Sequence, residues 1–152
     1  MHASPIQSIP VEDLLRRSQR IIDRDAVNKM IAGKRVLITG AGGSIGSEIV
    51  RQVCAANPNS VLLLDISEFL LYEIQQEAFA NYKDTKIDAR IADIRNEKNL
   101  SKIFENFKPE IVFHAAALKH VPLLEDHKIE AVSTNVIGTR QQNLYLSQQI
   151  KL

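Results

Sequence analysis

The sequence has little cysteine, no long apolar run and no excess of one charge. Its single cysteine, Cys54, cannot form an internal disulfide and falls on the apolar face of a predicted helix. We therefore expect a buried small residue in a reducing cytoplasm rather than a reactive thiol. No stretch approaches about 18 apolar residues, and residues 1–10 have neither a basic start nor an apolar run, which argues against a membrane span and a signal peptide.

The charge balance and the spacing of reactive side chains exclude several classes of function. A formal net charge of +1, without any block of like charges, gives no basic field for nucleic acid or anionic lipid. Histidine, cysteine and acidic residues occur at no metal-ligand spacing, and no Ser-His-Asp set is suggested by order or context. With 152 residues, of which 45% are apolar and 24% charged, the chain is large enough for one core in one domain.

What the sequence does contain is a glycine cluster between a strand and a helix. The apolar run 36–38 leads into the cluster, and apolar residues at helical spacing follow it directly. The glycines follow the pattern GxxGxxG rather than the common GxGxxG, and no Lys-Ser or Lys-Thr follows them as in an NTPase phosphate loop. Such a turn leaves free backbone N–H groups at the positive end of a helix dipole. It predicts a pyrophosphate site formed by Gly40, Gly43, Ser44, Ile45 and Gly46.

An acidic residue in the expected place decides between nucleotide binding and an ordinary tight turn. A second apolar run, 61–64, ends on Asp65, which lies 19 residues past Gly46 (65 minus 46). In a dinucleotide-binding unit, a carboxylate at this position holds the ribose diol. Because the carboxylate would repel a 2′-phosphate, and no arginine stands at Ile66 or Ser67, the sequence favours NAD over NADP as the cofactor.

The rest of the chain predicts an α/β fold. Apolar runs and alternations indicate further strands at 60–65, 87–93 and 111–113, and amphipathic spacings indicate helices between them. This alternation predicts a parallel, Rossmann-like doubly wound sheet of about four strands in the order 3-2-1-4, with helices on both faces. We expect a linker arm with short helices at 1–33, the nucleotide-binding domain at 34–152, a loop at 118–125 and a last helix at 129–149.

Five stretches together resemble one protein family. The resemblance rests on TGAGGSIGSE, LLLDISE, IADIR, VFHAAALKHVPLLE and EAVSTNVIGT. They are similar to the extended short-chain dehydrogenase/reductases, and within these to the bacterial nucleotide-sugar 4,6-dehydratases of polysaccharide biosynthesis. The likeness runs from about Pro10 to the end, and HAAALKHVPLLE is its most specific part.

The resemblance implies further cofactor contacts at the ends of the third and fourth strands. Asp93 would accept a hydrogen bond from the adenine amino group, and Ile94 would pack on the ring. The alternative for Asp93 is a helix cap, but a strand end favours ligand contact. The small residues Ala115, Ala116 and Ala117 would let the backbone approach the nicotinamide ribose and its phosphates. We do not expect His114 to act as a base, since it can be a satisfied, half-buried histidine.

The resemblance also implies a place for the substrate. Lys119 and His120 would line a sugar-nucleotide pocket, with a solvated surface loop as the alternative. Asn135 would support catalysis by holding a water and a kinked backbone behind an active-site lysine. An asparagine in the middle of a helix is otherwise disfavoured. Gly138 is also unfavourable inside a helix, and close packing of that helix on a neighbour would explain it.

The activity implied for the parent is NAD-dependent 4,6-dehydration of a UDP-N-acetylhexosamine. The family's Ser/Thr-Asp-Lys run and its Tyr or Met followed four residues later by Lys do not occur before Leu152. We therefore expect this chain alone, as an excised piece or a short gene product, to be inactive. A nucleotide-sugar 4-epimerase shares every motif up to Asn135, and a non-enzymatic NAD-binding or regulatory module is a third alternative.

The remaining expectations concern location and assembly. In the resembled family, a segment like PVEDLL joins a membrane-anchored region to the catalytic domain, which allows a parent anchored at the inner face of the bacterial inner membrane. We expect a UDP-sugar as the parent's substrate, and no nucleic acid or membrane contact by this segment. The uncharged strand 111–113 would form a sheet edge, so a homo-oligomer is expected through that edge or through the final helix. The alternative is that residues 1–34 cover the same surface within one chain.

Overall fold

The structure, a computed structural model, describes residues 23–149. The arm at the start of the chain and the helix expected after Pro10 lie outside these residues. The described elements in chain order are α1 (Arg24–Ile31), β1 (Arg35–Thr39), α2 (Ser44–Ala55), β2 (Ser60–Asp65), α3 (Glu68–Asn81), β3 (Lys86–Ile91), α4 (Glu97–Phe107), β4 (Ile111–His114), α5 (Val121–Asp126), α6 (Lys128–Val132), a π-helical segment (Ser133–Gly138) and α7 (Thr139–Gln149).

The four strands form one parallel sheet in the order β3-β2-β1-β4, which confirms the predicted doubly wound arrangement. In the register, Leu37 lies between Leu62 of β2 and Val112 of β4. Thr39 and His114, the last residues of β1 and β4, are paired at the carboxyl edge of the sheet. The order brings the loops that follow β1, β2, β3 and β4 to one edge, where parallel sheets bind ligands.

Two apolar layers hold helices against the two faces of the sheet. Because side chains alternate along a strand, odd and even positions of β1 and β2 enter different layers. On one face, Val36 and Ile38 pack with residues of α2 and α3. On the other face, Leu37 packs with α4, and Tyr145 and Leu146 of α7 extend this layer. Cys54 is 1% exposed within the first layer, as the sequence predicted.

Side chains mark the starts of three helices. Asp23 accepts a hydrogen bond from the N–H of Ala26 at 3.0 Å and begins α1. Ser67 and Asn96 do the same for α3 and α4, with distances of 3.4 Å and 3.1 Å to the N–H groups of Leu70 and Asn99. Such caps satisfy backbone donors that the first helical turn leaves unpaired. The cap of α4 is thus Asn96, so Asp93 is not needed for that purpose.

The structure corrects two expectations about the last third of the chain. The expected loop 118–125 contains α5, whose proline, Pro122, lies in the first turn where a missing N–H costs nothing. The expected helix 129–149 is present from Lys128 to Gln149, but its middle part, Ser133–Gly138, is π-helical and not α-helical. The third strand also ends at Ile91, two residues before Asp93, and Ile91 is 59% exposed at the outermost strand.

Candidate functional site

The turn after β1 is built from glycines that a larger residue could not replace. Gly40 has φ +66°, a conformation that favours glycine, and an added Cβ would lie 2.6 Å from the backbone N of Ala116. A Cβ on Gly46 would overlap the carbonyl oxygen of Gly40. These two glycines therefore let β1, the start of α2 and the loop after β4 meet at one point.

The amino end of α2 is open. Its cap residue, Gly43, carries no side chain to bond the first turn, and a Cβ there would meet only the carbonyl oxygen of Gly40, at 3.3 Å. The N–H groups of Ser44, Ile45 and Gly46 donate to no acceptor among the described residues. Three free N–H groups at the positive end of a helix suit an anion such as a pyrophosphate.

Asp65 stands at the end of β2 and is already oriented by the backbone. Its Oδ2 accepts from the N–H of Gly42 and its Oδ1 from the N–H of Ser67, both at 2.9 Å. Each carboxylate oxygen can accept a second hydrogen bond, so the group can still hold two hydroxyls. The contact with Gly42 also joins the glycine turn to the acid, which the sequence predicted as parts of one site.

The opposite wall comes from the segment after β3. Arg95 binds Asp93 through Nη2 to Oδ2 at 2.6 Å and through Nε to Oδ1 at 2.9 Å. The side-chain hydrogen bonds from Arg95 are the main cause that lowers the pKa of Asp93, so the carboxylate stays ionised. Ile94 is buried beside this pair, and a Cβ on Gly138 would lie 2.8 Å from its Cδ1. Close packing of the last helical region on Ile94 is therefore the reason for Gly138.

These walls enclose a cleft of about 280 Å³ at the carboxyl edge of the sheet. The structure brings together there most of the residues predicted to bind the cofactor: Gly40, Gly43, Asp65, Asp93, Ile94, Ala115, Ala116 and Ala117. Ser44, Ile45 and Gly46 do not line it; they adjoin Gly43 at the start of α2. The sequence reasoning missed the other lining residues, which are Leu64, Ile66, Leu70, Ala92, Arg95, Leu118 and Thr134. Of these, Ile66 and Arg95 could have been predicted, because they directly follow Asp65 and Ile94 in the sequence.

A second cleft, of about 310 Å³, adjoins the first and shares Ala117 and Leu118 with it. Lys119 and His120, predicted to meet a substrate, both line this second cleft and are both exposed. Leu123 and Leu124 of α5 form part of its wall. Lys119 and His120 thus follow Leu118, a residue of the wall shared by the two clefts, by one and two positions.

Asn135 lies inside the π-helical segment and holds the shared wall. Its Oδ1 accepts from the N–H of Leu118 at 2.9 Å, and its Nδ2 donates to the carbonyl oxygen of Leu118 at 2.8 Å. These two hydrogen bonds explain why an asparagine occurs in the middle of a helix, which the sequence alone did not explain. π-helical turns are rare and occur frequently at functional sites. The predicted role of Asn135 behind an active-site lysine stays a prediction.

His114 forms a polar network that the sequence did not reveal. Its Nδ1 lies 2.7 Å from Thr39 Oγ1 and 3.0 Å from Gln142 Nε2, and its Nε2 lies 2.8 Å from Thr139 Oγ1. Desolvation lowers the pKa of His114. Both ring nitrogens of His114 thus have hydrogen-bond partners, but the residue is exposed and not half-buried as the sequence suggested. The only signal in the sequence for the contact of Gln142 with His114 is that Gln142 lies at helical spacing from Thr139.

The structure limits other kinds of site. Among residues 23–149, no three histidine, cysteine, aspartate or glutamate side chains are grouped as metal ligands. In the same residues, no helix has both the length and the apolar character needed to cross a membrane.

Comparison with known proteins adds to this geometry. A family described as "Polysaccharide biosynthesis protein" matches residues 36–150. The probable polysaccharide biosynthesis protein EpsC of Bacillus subtilis is 40% identical over 139 residues, which are 91% of this chain and 23% of that protein. A UDP-glucose 4-epimerase of Rickettsia massiliae is 31% identical over 113 residues, 72% of this chain and 31% of that protein. The chain thus spans less than a third of either curated relative.

A solved structure supports the same assignment of the fold. The X-ray structure of Pen from Bacillus thuringiensis superposes with a TM-score of 0.70 at 36% sequence identity. The superposition covers 78% of this chain and 36% of that one. The likeness to extended short-chain dehydrogenase/reductases, first noted in the motifs, is confirmed.

Proposed function

The chain belongs to the polysaccharide biosynthesis protein family, and we propose that it is the NAD-binding part of a nucleotide-sugar 4,6-dehydratase. The observation that carries the proposal is the single cleft in which the glycine turn, Asp65 and the alanine run Ala115–Ala117 meet. Each of these features suits a different part of a dinucleotide. Together they extend along the edge of the sheet from an adenine end to a nicotinamide end.

The pyrophosphate would lie at the amino end of α2. Gly43 leaves room for it, and the free N–H groups of Ser44, Ile45 and Gly46 would donate to its oxygens. A lysine is not required, because the helix terminus itself supplies the partial positive charge.

The adenosine would lie between β2 and β3. Asp65 would accept hydrogen bonds from the ribose hydroxyls, and the adenine ring would rest on Ile94, with Asp93 at its amino group. Arg95 is the one arginine in this cleft, but its guanidinium is held by Asp93. A 2′-phosphate would therefore meet the carboxylate of Asp65 without a free cation beside it. We propose NAD rather than NADP for this reason.

The nicotinamide would face the wall shared by the two clefts. Small side chains at Ala115, Ala116 and Ala117 let the backbone come close to it, and the second cleft beyond Leu118 would hold the sugar nucleotide. Lys119 and His120 would contact that substrate, which we propose is a UDP-N-acetylhexosamine. When bound, NAD would supply the hydride acceptor for a reaction in which hydride and the hydroxyl proton leave at sugar C4, water leaves across C5 and C6, and hydride returns to C6 while C5 takes up a proton.

Titration calorimetry tests the proposed cofactor and the proposed role of Asp65. We expect saturable binding of NAD by the chain, and we expect Asp65→Ala to abolish or strongly weaken it. Glu105→Ala, on α4 and outside both clefts, serves as the matched removal of an acidic residue and should bind NAD like the parent. If NAD does not bind, or if Asp65→Ala binds it equally well, the proposal fails.

A nucleotide-sugar 4-epimerase is the second candidate, and the similarity to the Rickettsia epimerase favours it. Both reactions begin with oxidation at C4, so the cofactor site alone does not separate them. Mass spectrometry together with NMR spectroscopy of UDP-N-acetylglucosamine incubated with the full-length parent enzyme does, because NMR reports the configuration at C4. A product lighter by one water identifies the dehydratase, whereas a product of unchanged mass with inverted C4 identifies the epimerase. Self-association through the outer edge of β4 also stays a prediction.

A further inference from the structure

A closed ring of hydrogen bonds surrounds the alanine run of the first cleft. His114 Nε2 contacts Thr139 Oγ1 at 2.8 Å, and Thr139 Oγ1 donates to the carbonyl oxygen of Asn135 at 2.9 Å. Asn135 then holds the backbone of Leu118 through two hydrogen bonds. The chain from Leu118 back to His114 closes the ring. The enclosed residues, Ala115–Ala117, all line the cleft proposed for the cofactor.

The partners of the His114 ring favour one chemical form. Thr139 has one hydroxyl hydrogen, and it goes to Asn135, so Thr139 Oγ1 accepts from His114 Nε2–H. Nδ1 has two partners: Gln142 Nε2, at 3.0 Å, can only donate, whereas Thr39 Oγ1, at 2.7 Å, can donate or accept. The neutral imidazole with its proton on Nε2 lets both of them donate to Nδ1.

The amide of Gln142 is held in the orientation that this argument needs. Gln142 is 2% exposed, and its Nε2 also lies 3.5 Å from the carbonyl oxygen of Gly138. If the amide turned over, its oxygen would face the oxygen of Gly138, and two acceptors would lie against each other. In the present orientation, Oε1 of Gln142 is buried without a hydrogen-bond partner.

We infer that neutral His114 is a positioning residue that fastens α7 to the end of β4 and so holds the loop 115–118 in the shape that binds the nucleotide. The inference deepens the proposed function and depends on it for the nature of the ligand. His114 itself does not line the cleft. It acts through Thr139, Asn135 and Leu118 on the residues that do.

Protonation of the imidazole would weaken this network on the Nδ1 side. An imidazolium keeps its Nε2–H bond to Thr139, and its Nδ1–H can donate to Thr39 Oγ1, but it would face the NH₂ group of Gln142, donor against donor. The elements packed against the ring present only neutral groups to it: Thr39 from β1, and Thr139 and Gln142 from α7. No charged side chain of the described residues shifts its titration, and desolvation alone lowers the pKa of His114. Because the folded-state pKa is depressed, the stabilisation is complete well above the ordinary value of about 6.5 and is lost as the pH falls below it.

The first test is direct observation of the ring by long-range ¹H–¹⁵N NMR spectroscopy of the chain. We expect the spectrum at pH 7.5 to show the proton of His114 on Nε2, and the titration of the ring to lie below the ordinary value of about 6.5. A proton on Nδ1, or a ring that is charged at pH 7, would overturn the inference. This result does not depend on any ligand, so it decides the form of the ring even if NAD does not bind.

The second test is the affinity for NAD as a function of pH. Because protonation sets Nδ1–H against the NH₂ group of Gln142, affinity should fall as the pH drops below the pKa of His114. Gln142→Glu replaces the donor with a carboxylate that accepts from an imidazolium, so this variant should retain NAD affinity at pH 5.5. Asn143→Asp adds the same charge at an exposed position of α7 and should keep the parent profile.

A residue with a merely structural role would not give this pattern. It would lower affinity in Gln142→Glu at every pH without changing the shape of the profile. An identical pH profile in the parent and in Gln142→Glu would therefore contradict the positioning role of His114. Absence of NAD binding at every pH, with the expected ring tautomer, would count against the proposed cofactor and not against the ring of contacts.

Discussion

Asn135 pairs with Leu118 as one peptide group pairs with another: its amide oxygen accepts from the backbone N–H, and its amide nitrogen donates to the backbone carbonyl. The pair joins the π-helical segment to the loop after β4, two elements 17 residues apart in sequence. Since Leu118 lines both clefts, this contact sets the position of the wall between them.

Replacement of Asn135 by aspartate tests the importance of this contact. The carboxylate keeps the acceptor for the N–H of Leu118 but faces the carbonyl oxygen of Leu118 with a second acceptor. Loss of one hydrogen bond, with repulsion in its place, costs about 1–3 kcal/mol. We expect NAD binding to weaken about tenfold in calorimetry, while Asn143→Asp on α7 binds like the parent. Equal affinities for Asn135→Asp and the parent would show that the wall does not depend on this pair.

Two glycines of the same turn should respond differently to the same change. A side chain at Gly43 meets only one backbone oxygen at 3.3 Å, whereas one at Gly46 overlaps the backbone of Gly40. We therefore expect Gly43→Val to keep the melting temperature within a few degrees and to lose NAD binding, because the side chain obstructs the pyrophosphate. Gly46→Val should lower the melting temperature strongly or fail to fold. Unchanged NAD affinity in folded Gly43→Val would mean that the phosphate site is misplaced.

The carboxylate of Asp65 should set the choice between cofactors. It is fixed by the N–H groups of Gly42 and Ser67, and Arg95 across the cleft is bound to Asp93. A 2′-phosphate would have to approach a fixed negative charge, so calorimetric titration should show tighter binding of NAD than of NADP. Asp65→Asn should reduce the difference, because it removes the charge and keeps the size. Equal or tighter binding of NADP by the parent would refute this account of specificity.

Cys54 should be chemically inert in the folded chain. It lies on the buried face of α2, and desolvation raises the pKa of its thiol to about 11. Because the thiolate is the reactive form, labelling by a thiol reagent at pH 8 should be far slower in the native chain than in urea. Rapid labelling of the native protein would show that the layer between the sheet and α2 opens readily.

The sheet was predictable from the sequence, but several features of the site were not. The limits of β2 and the strand order follow from apolar runs, glycines and caps, all of which are local in sequence. The π-helical segment is different, because it depends on a contact of Asn135 with a residue 17 positions away. α5 was missed because the polar residues before it suggested a loop, although Pro122 is compatible with a first helical turn.

The His114 network shows the same limit. A histidine after an apolar strand indicates a half-buried ring, and the sequence supports no more than that. Its partners Thr39, Thr139 and Gln142 come from β1 and α7, so they can be recognised only when the topology brings those elements together. The location of candidate residues that lie in one motif was therefore predictable, and contacts that form by packing of distant elements were not.

The central claim is that the cleft at the carboxyl edge of the sheet binds NAD. A ¹H–¹⁵N correlation spectrum of the labelled chain, recorded during titration with NAD, tests it most directly. We predict saturable shifts of the amide signals of Gly43, Ser44, Asp65, Ile94 and Ala116, with little change along α1 or at the amino ends of the strands. Absence of shifts at saturating NAD, or shifts confined to residues outside this cleft, would contradict the account.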